Sequence, residues 1–290
     1  MANVCDTGSA NVRKIDRNTR ALQVLMTMPD PCDLNEEVEV WTNLSVNSVT
    51  QEVSSEETNE VCSSDPCIKI PKEIVDTYNV TAGLITPKSA MLMHLLYSNG
   101  GALEISNVTA DINTSETFTI GCTEPCSSFT GTVENVWYYV DLGHVDYNNV
   151  LNNDMLIPRN VVITNETQGT TIACTDYKWS LNDFYPRIIF TGGVEAGDLV
   201  TVDYTYANAD VCFSTGGRRI APQVKFRLVE RTAGQTLDNA DTCMIQEFDC
   251  ASLTAGGSTY RDACSTDAIT PLEITLSSKS SKICFTNRAL

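Results

Sequence analysis

The chain has 290 residues, 42% of them hydrophobic, with 37 acidic residues against 19 basic ones and a net charge of −18. That length and hydrophobicity suffice for one elaborated domain or two small ones, and they argue against disorder as a description of the whole. The charge opposes nucleic-acid binding unless basic residues gather in a patch, and the densest basic run, 225–231 (KFRLVER), alternates like a strand instead.

In chain order, Asp6-Thr7-Gly8-Ser9 matches the aspartic-protease signature. That chemistry needs two carboxylates sharing a proton. No second copy of the motif occurs, so the segment reads as an N-terminal turn. Residues 37–47 alternate: Val38, Val40, Thr42, Leu44 and Val46 form one face, and Glu37, Glu39, Asn43, Ser45 and Asn47 the other. This is the pattern of a half-buried antiparallel strand, with a bulge expected where it slips near 47–49. Residues 52–65 are acidic and Ser-rich, the composition of a solvated loop or hairpin tip. A helix is expected from Pro87, capped by Thr86 and stopped by Asn99-Gly100-Gly101; its body, 90–97, is apolar on nearly every side and should be buried.

Further strands are expected at 116–121, 135–142, 158–164, 221–231, 243–248, 272–276 and 283–285. In 221–231, Pro222, Val224, Phe226 and Leu228 should face inward. The most informative stretch is 172–208. It reads as a short strand ending at Asp176-Tyr177, a second at 187–191, and a third at 199–206. In the third, Val200, Val202, Tyr204 and Tyr206 share a face opposite Thr201, Asp203 and Thr205. The sum is a mainly β chain with one packed helix.

Twelve cysteines imply disulfides and an oxidising environment. The candidates by close spacing are Cys62 and Cys67, Cys122 and Cys126, and Cys243 and Cys250, as local bridges or buried thiols, with connectivity open. None has the tight C-x2-C spacing of most structural zinc sites, and His94 lies in the apolar helix, where a core role fits it better. Asp146, Asn148, Asn149, Asn152, Asn153 and Asp154 suggest calcium by composition but lack EF-hand spacing. Five N-x-Ser/Thr sequons, at Asn43, Asn79, Asn107, Asn113 and Asn165, are no more than this composition predicts. Serine-hydrolase and nucleotide-binding loops are not found. The expectation is a non-enzyme without cofactor or metal.

The N-terminus lacks an apolar signal core, and no run is long enough for a membrane helix. A cytosolic product that works outside the cell reconciles this with the cysteines, its bridges forming after lysis. A secreted protein whose signal was replaced by Met is the competing explanation.

Several of these elements, in this order, resemble the major tail (tail-tube) proteins of long-tailed, non-contractile bacteriophages. The likeness is carried by Asp176-Tyr177-Lys178-Trp179, Ile188-Ile189-Phe190, Gly197 and the run from Val200 to Tyr206. It is extended by Leu44-Ser45-Val46 leading into Glu52, Glu56 and Glu57, by the Thr86-Pro87 helix, by Glu116-Thr117-Phe118-Thr119, and by 218–227. The resemblance implies a tail-tube-like β-sandwich with one packed α-helix. Its core would be 1–124 and 209–290, and 125–208 an inserted β-subdomain on the outer surface. It implies hexameric rings of the chain itself, stacked into a virion tail tube after synthesis in the host cytoplasm, with Glu52, Glu56 and Glu57 in an inter-ring loop. Tape-measure, tail-terminator and baseplate proteins would be partners; DNA would pass without specific binding, and no membrane is involved. The alternatives are another phage structural part, such as a head-decoration or minor tail protein, and a disulfide-bonded extracellular adhesin or pilus-like subunit.

Overall fold

A computed structural model describes residues 18–33, 36–44, 46–58, 73–84, 90, 93–94, 103–121, 137–148, 156–182, 185–214, 223–232, 242–255 and 272–286. Among them the chain is mainly β. The first strands are β1 (Asn18–Pro29), β2 (Glu37–Leu44), β3 (Val46–Thr58) and β4 (Glu73–Leu84). Short β5 (Glu104–Ser106) precedes β6 (Ile112–Thr119), β7 (Tyr138–Asp141), β8 (Arg159–Asn165) and β9 (Thr170–Thr171). A 3₁₀ turn, Cys174–Asp176, leads into β10 (Tyr177–Asn182), β11 (Tyr185–Phe190), β12 (Leu199–Tyr206) and β13 (Asp210–Cys212). The chain closes with β14 (Gln223–Thr232), β15 (Thr242–Ala255), β16 (Leu272–Ser278) and β17 (Lys282–Thr286).

Eleven strands form one mixed sheet in the order β3-β4-β16-β15-β14-β1-β2-β10-β11-β7, with β17 also on β15. β1 is central: it pairs with β14 through 18–24 and with β2 through 22–29. No strand is expected here from the sequence pattern. Its LQVLMTM run lacks clean alternation because Leu22, Val24 and Met28 are buried and so is Gln23, whose amide donates to Asn43 Oδ1 at 2.6 Å and accepts from Arg227 Nε at 2.6 Å. β2 follows the expected pattern, with Val40, Thr42 and Leu44 buried and Glu37 and Glu39 exposed. The expected slip is a register shift between Val46 and Ser48.

β16 and β17 are two halves of one course along β15, facing 252–255 and 243–247 respectively. Between them β15 carries Cys250 in the left-handed region, at φ 49°. The Ser278 hydroxyl donates to the Asp249 carbonyl at 2.7 Å and accepts from the Ser280 amide. This kink decides the outline of the sheet. β4 follows β16 only through residues 78–84, so its first half pairs with β3 alone.

The described residues of 103–214 supply β7, β10 and β11 to this large sheet and, beside it, a unit with sheets of its own. β6, β12, β8 and β9 make a four-stranded sheet, and β13 pairs with β5. Val200, Val202, Tyr204 and Tyr206 are buried on one face of β12, as the alternation predicts. They join the same apolar core as Trp179, Ile188 and Phe190 of β10 and β11 and Leu22, Phe226 and Phe248 of the large sheet. β6, expected in the flanking core, is the partner of β12 over its full length. The short strand expected to end at Asp176-Tyr177 is instead the two-residue β9 followed by the 3₁₀ turn, and Tyr177 opens β10. Of the expected helix, most lies outside the described residues. Ala90, Met93 and His94 are helical in conformation, Met93 packs on the core, and His94 meets the Phe213 ring edge-on at 5.4 Å.

Candidate assembly surface and the polar clusters

Among the described residues, the β3–β4 hairpin has a largely exposed distal half. Its register runs from Val46↔Leu84 to Thr58↔Glu73. The proximal half is anchored by Val80 and Ala82, both fully buried. The distal half extends beyond the end of β16, and every residue from Gln51 to Glu56 is exposed. Three large apolar side chains stand in solvent there: Val53 at 51%, Ile74 at 58% and Val75 at 37% exposure. The outer edge of β3 pairs with no strand among the described residues. Such an edge presents a row of backbone N–H and C=O groups to any chain that can align with it.

Glu52 and Glu56 are exposed on this arm, and Glu57 faces Ile74 in the register. They lie on a paired strand, where a loop or hairpin tip was expected. The strand survives its acidic, Ser-rich composition because β4 supplies β-branched cross-strand partners (Ile74, Val75, Thr77) and Ser55 bonds Asp76 Oδ1 at 2.6 Å.

Of the cysteines expected in local bridges, Cys62, Cys67, Cys122 and Cys126 lie outside the described residues. Cys243 and Cys250 occupy one extended strand, β15, roughly 23 Å apart at about 3.3 Å per residue, so they cannot bridge each other. Cys250 is free and exposed, as is Cys212; Cys284 is free and half-buried. Among the described residues, one disulfide is long-range: Cys32, between β1 and β2, bonds Cys174, 142 residues away, with Cα atoms 5.1 Å apart. Spacing could not reveal it, since it joins two turns that only the fold brings together.

Polar clusters gather on the 103–214 unit. Tyr204 is buried and donates to Glu116 Oε1; His144 Nδ1 lies 2.8 Å from the Tyr204 hydroxyl and 3.2 Å from Glu116. Gly143 N also donates to Glu116, and the His144 ring stacks on Tyr206 at 4.1 Å. Burial, then the hydrogen bond and charge of Glu116, push the Tyr204 hydroxyl well above the ordinary phenol range. A phenol held protonated this firmly is a hydrogen-bond donor in a structural network, unsuited to act as a base near neutral pH.

Asp146, fully buried, accepts from Arg159 Nε at 2.6 Å, from Ala207 N at 3.0 Å and from Asn148 N at 3.1 Å. Arg159 also binds Asp111 at 2.6 Å, and that hydrogen bond holds the Asp111 carboxyl below its usual range. Of the residues whose composition suggested calcium, Asp146 and Asn148 thus belong to an internal network around the Arg159 guanidinium, and Asn149, Asn152, Asn153 and Asp154 lie outside the described residues. Among the described residues, no group of three or more His, Cys, Asp or Glu is arranged to hold a metal, and no helix is long and apolar enough to cross a membrane. The basic run is likewise engaged inside the chain: Lys225 pairs with Asp249 at 3.3 Å, and Arg227 lies over the Trp41 ring at 4.2 Å.

No family model matches the chain. No curated protein matches it either.

Proposed function

We propose that this chain is a structural subunit that assembles with copies of itself through the β3–β4 arm and the free edge of β3, and that the assembly is a phage tail tube of stacked rings. The observation that carries the reading is the arm itself: a long paired hairpin with Val53, Ile74 and Val75 exposed, beside a strand edge that pairs with no strand among the described residues. A monomer gains nothing from holding these groups in water, whereas closing strand edges across subunits removes the hazard. Head-to-tail contacts that do not close along an axis give a filament. The net charge of −18 suits a conduit through which DNA slides without sticking. The packed helix, the hexameric rings and the partners at the tube ends belong to this proposal and rest on the resemblance of the sequence elements. The disulfide-bonded adhesin remains the second reading, favoured by the long-range Cys32–Cys174 bridge.

The test is negative-stain microscopy with analytical ultracentrifugation of the purified chain across a concentration series. Rings or tubes that grow with concentration are expected. A monodisperse monomer at the highest concentration overturns the reading.

A further inference from the structure

Cys32 sits in a tight turn between β1 and β2, where its amide donates to Asp30 Oδ1 at 2.7 Å and Asp30 N donates to the Glu36 carbonyl at 2.8 Å. Cys174 sits in the 3₁₀ turn just before β10. β2 and β10 run parallel, and their ladder is registered at a single pair, Asn182↔Asn43, near the C-terminal ends of both strands. One step back, the Ser180 hydroxyl donates to the Trp41 carbonyl at 3.0 Å. Toward the N-terminal ends no further ladder pair is registered, and there the Cys32–Cys174 bond ties together the turns that lead into the two strands. Cys32 is exposed and Cys174 half-buried, at a shallow groove lined by Asp30, Asp33, Glu36 and Lys178. Three carboxylates stand there against the ammonium of Lys178, which also lies over the Trp137 ring at 5.2 Å, so the described lining carries more negative charge than positive.

We propose that this bridge is a thiol-responsive latch: it pins the open end of the β2–β10 pair, and its reduction by low-molecular-weight thiols frees that end while the rest of the fold stays closed. A reductant thiolate attacks the sulfur of Cys32, the more exposed residue of the two, breaking the S–S bond and expelling the Cys174 thiolate, which takes up a proton. A second reductant thiolate resolves the mixed disulfide and releases Cys32. Two reductant thiols are thereby oxidised to one disulfide, and the two cysteines gain the electron pair. The reverse exchange with a small-molecule disulfide resets the latch. Opening is local because the apolar core runs through both units, with Trp179, Ile188 and Leu22 in one cluster. The three carboxylates make the exchange charge-selective, admitting thiols that carry a cationic group more readily than anionic ones. The latch operates whether or not the chain forms a tube.

Hydrogen exchange read by mass spectrometry tests it, on the oxidised chain, the same chain after reduction, and a Cys32→Ser/Cys174→Ser variant. Amides of 37–41 and 177–179 should exchange about tenfold faster in both reduced and variant protein, with those of 112–119 and 199–206 within about twofold. Unchanged exchange at β2 and β10, or a uniform rise across the chain, overturns the latch. Should the variant fail to fold, the reduced wild-type chain carries the comparison. Thiol alkylation mapping supplies the kinetics. Cysteamine should expose Cys32 and Cys174 about tenfold faster than glutathione at matched thiolate concentration in low salt, the gap narrowing to about twofold near 1 M salt. Equal rates in low salt would refute the charge selection.

Discussion

The β3–β4 arm and the 103–214 unit are built from the same strand geometry and solve opposite problems. In the unit, nearly every polar group that enters the interior meets a partner. Arg187, 4% exposed, is held by Asp141 at 2.5 Å and lies over the Tyr139 ring at 3.8 Å. Asp198 gathers the amides of Asn165 and Gln168 and the backbone N–H of Glu195. In the arm, polar groups face water, and apolar ones do too. A region that satisfies its groups internally is finished as a monomer. A region that leaves Val53, Ile74 and Val75 in solvent beside an open edge is finished only by another surface.

The largest effect should come from breaking the unit's interior. Asp141→Ala leaves the buried Arg187 guanidinium without its bidentate acceptor. It should cost about 3–5 kcal/mol in urea denaturation, because removing one partner strands a desolvated charge. A loss below about 1 kcal/mol would mean that the Tyr139 ring and remaining contacts suffice to hold the cation.

Tyr204→Phe should cost about 1.5–3 kcal/mol by removing a hydrogen bond to a charged group, and it should alter the alkaline limb of stability. With its folded pKa raised, Tyr204 keeps its proton in the native state after the unfolded chain has begun to lose it. Its contribution is therefore complete below the ordinary phenol value of about 10 and declines as pH rises beyond it. Denaturation midpoints measured from pH 8 to 11 should fall less steeply in the variant. Some slope should remain, since burial also raises Tyr147 and Tyr177. An unchanged slope would show that Tyr204 ionises equally in both states.

Thr42→Val changes sign. Thr42 is fully buried in β2, and its hydroxyl finds no partner. Replacing it with an isosteric methyl should stabilise the fold by about 1 kcal/mol, seen as a higher denaturation midpoint at constant slope. A loss of stability would point to a water bonded to that hydroxyl.

How much of this was legible in the sequence depended on whether one side of a strand faced water. β2 and β12 alternate because one face in each carries the apolar residues, so Val40 and Leu44, or Val200, Val202 and Tyr204, could be assigned inward from spacing alone. β1 hides its character because its interior includes a satisfied Gln23, and a strand with buried residues on successive positions loses the period-2 signal. Long-range covalent and electrostatic choices were illegible for a different reason. Cys32 and Cys174, or Arg159 and its two carboxylates, become neighbours only after the chain has folded. The arm was half-legible: the acidic composition announced exposure but masked the strand, because cross-strand partners rather than intrinsic propensity stabilise it.

The smallest effect on stability should carry the largest effect on assembly. Val53→Asp combined with Ile74→Asp alters two side chains already more than half exposed. The folded monomer should therefore keep its stability within about 0.5 kcal/mol, the usual range for surface substitutions. The same charges would sit, desolvated, in any contact made by the arm, adding to a chain that already repels its copies at −18. Sedimentation velocity and microscopy should show monomers where the wild-type chain forms rings or tubes. Asp141→Ala, adjusted to temperatures at which it stays folded, should still assemble. If the arm variant assembles normally, the exposed apolar residues are not the contact, and the free edge of β3 becomes the surface to disrupt next, by a proline at a backbone N–H that points away from β4.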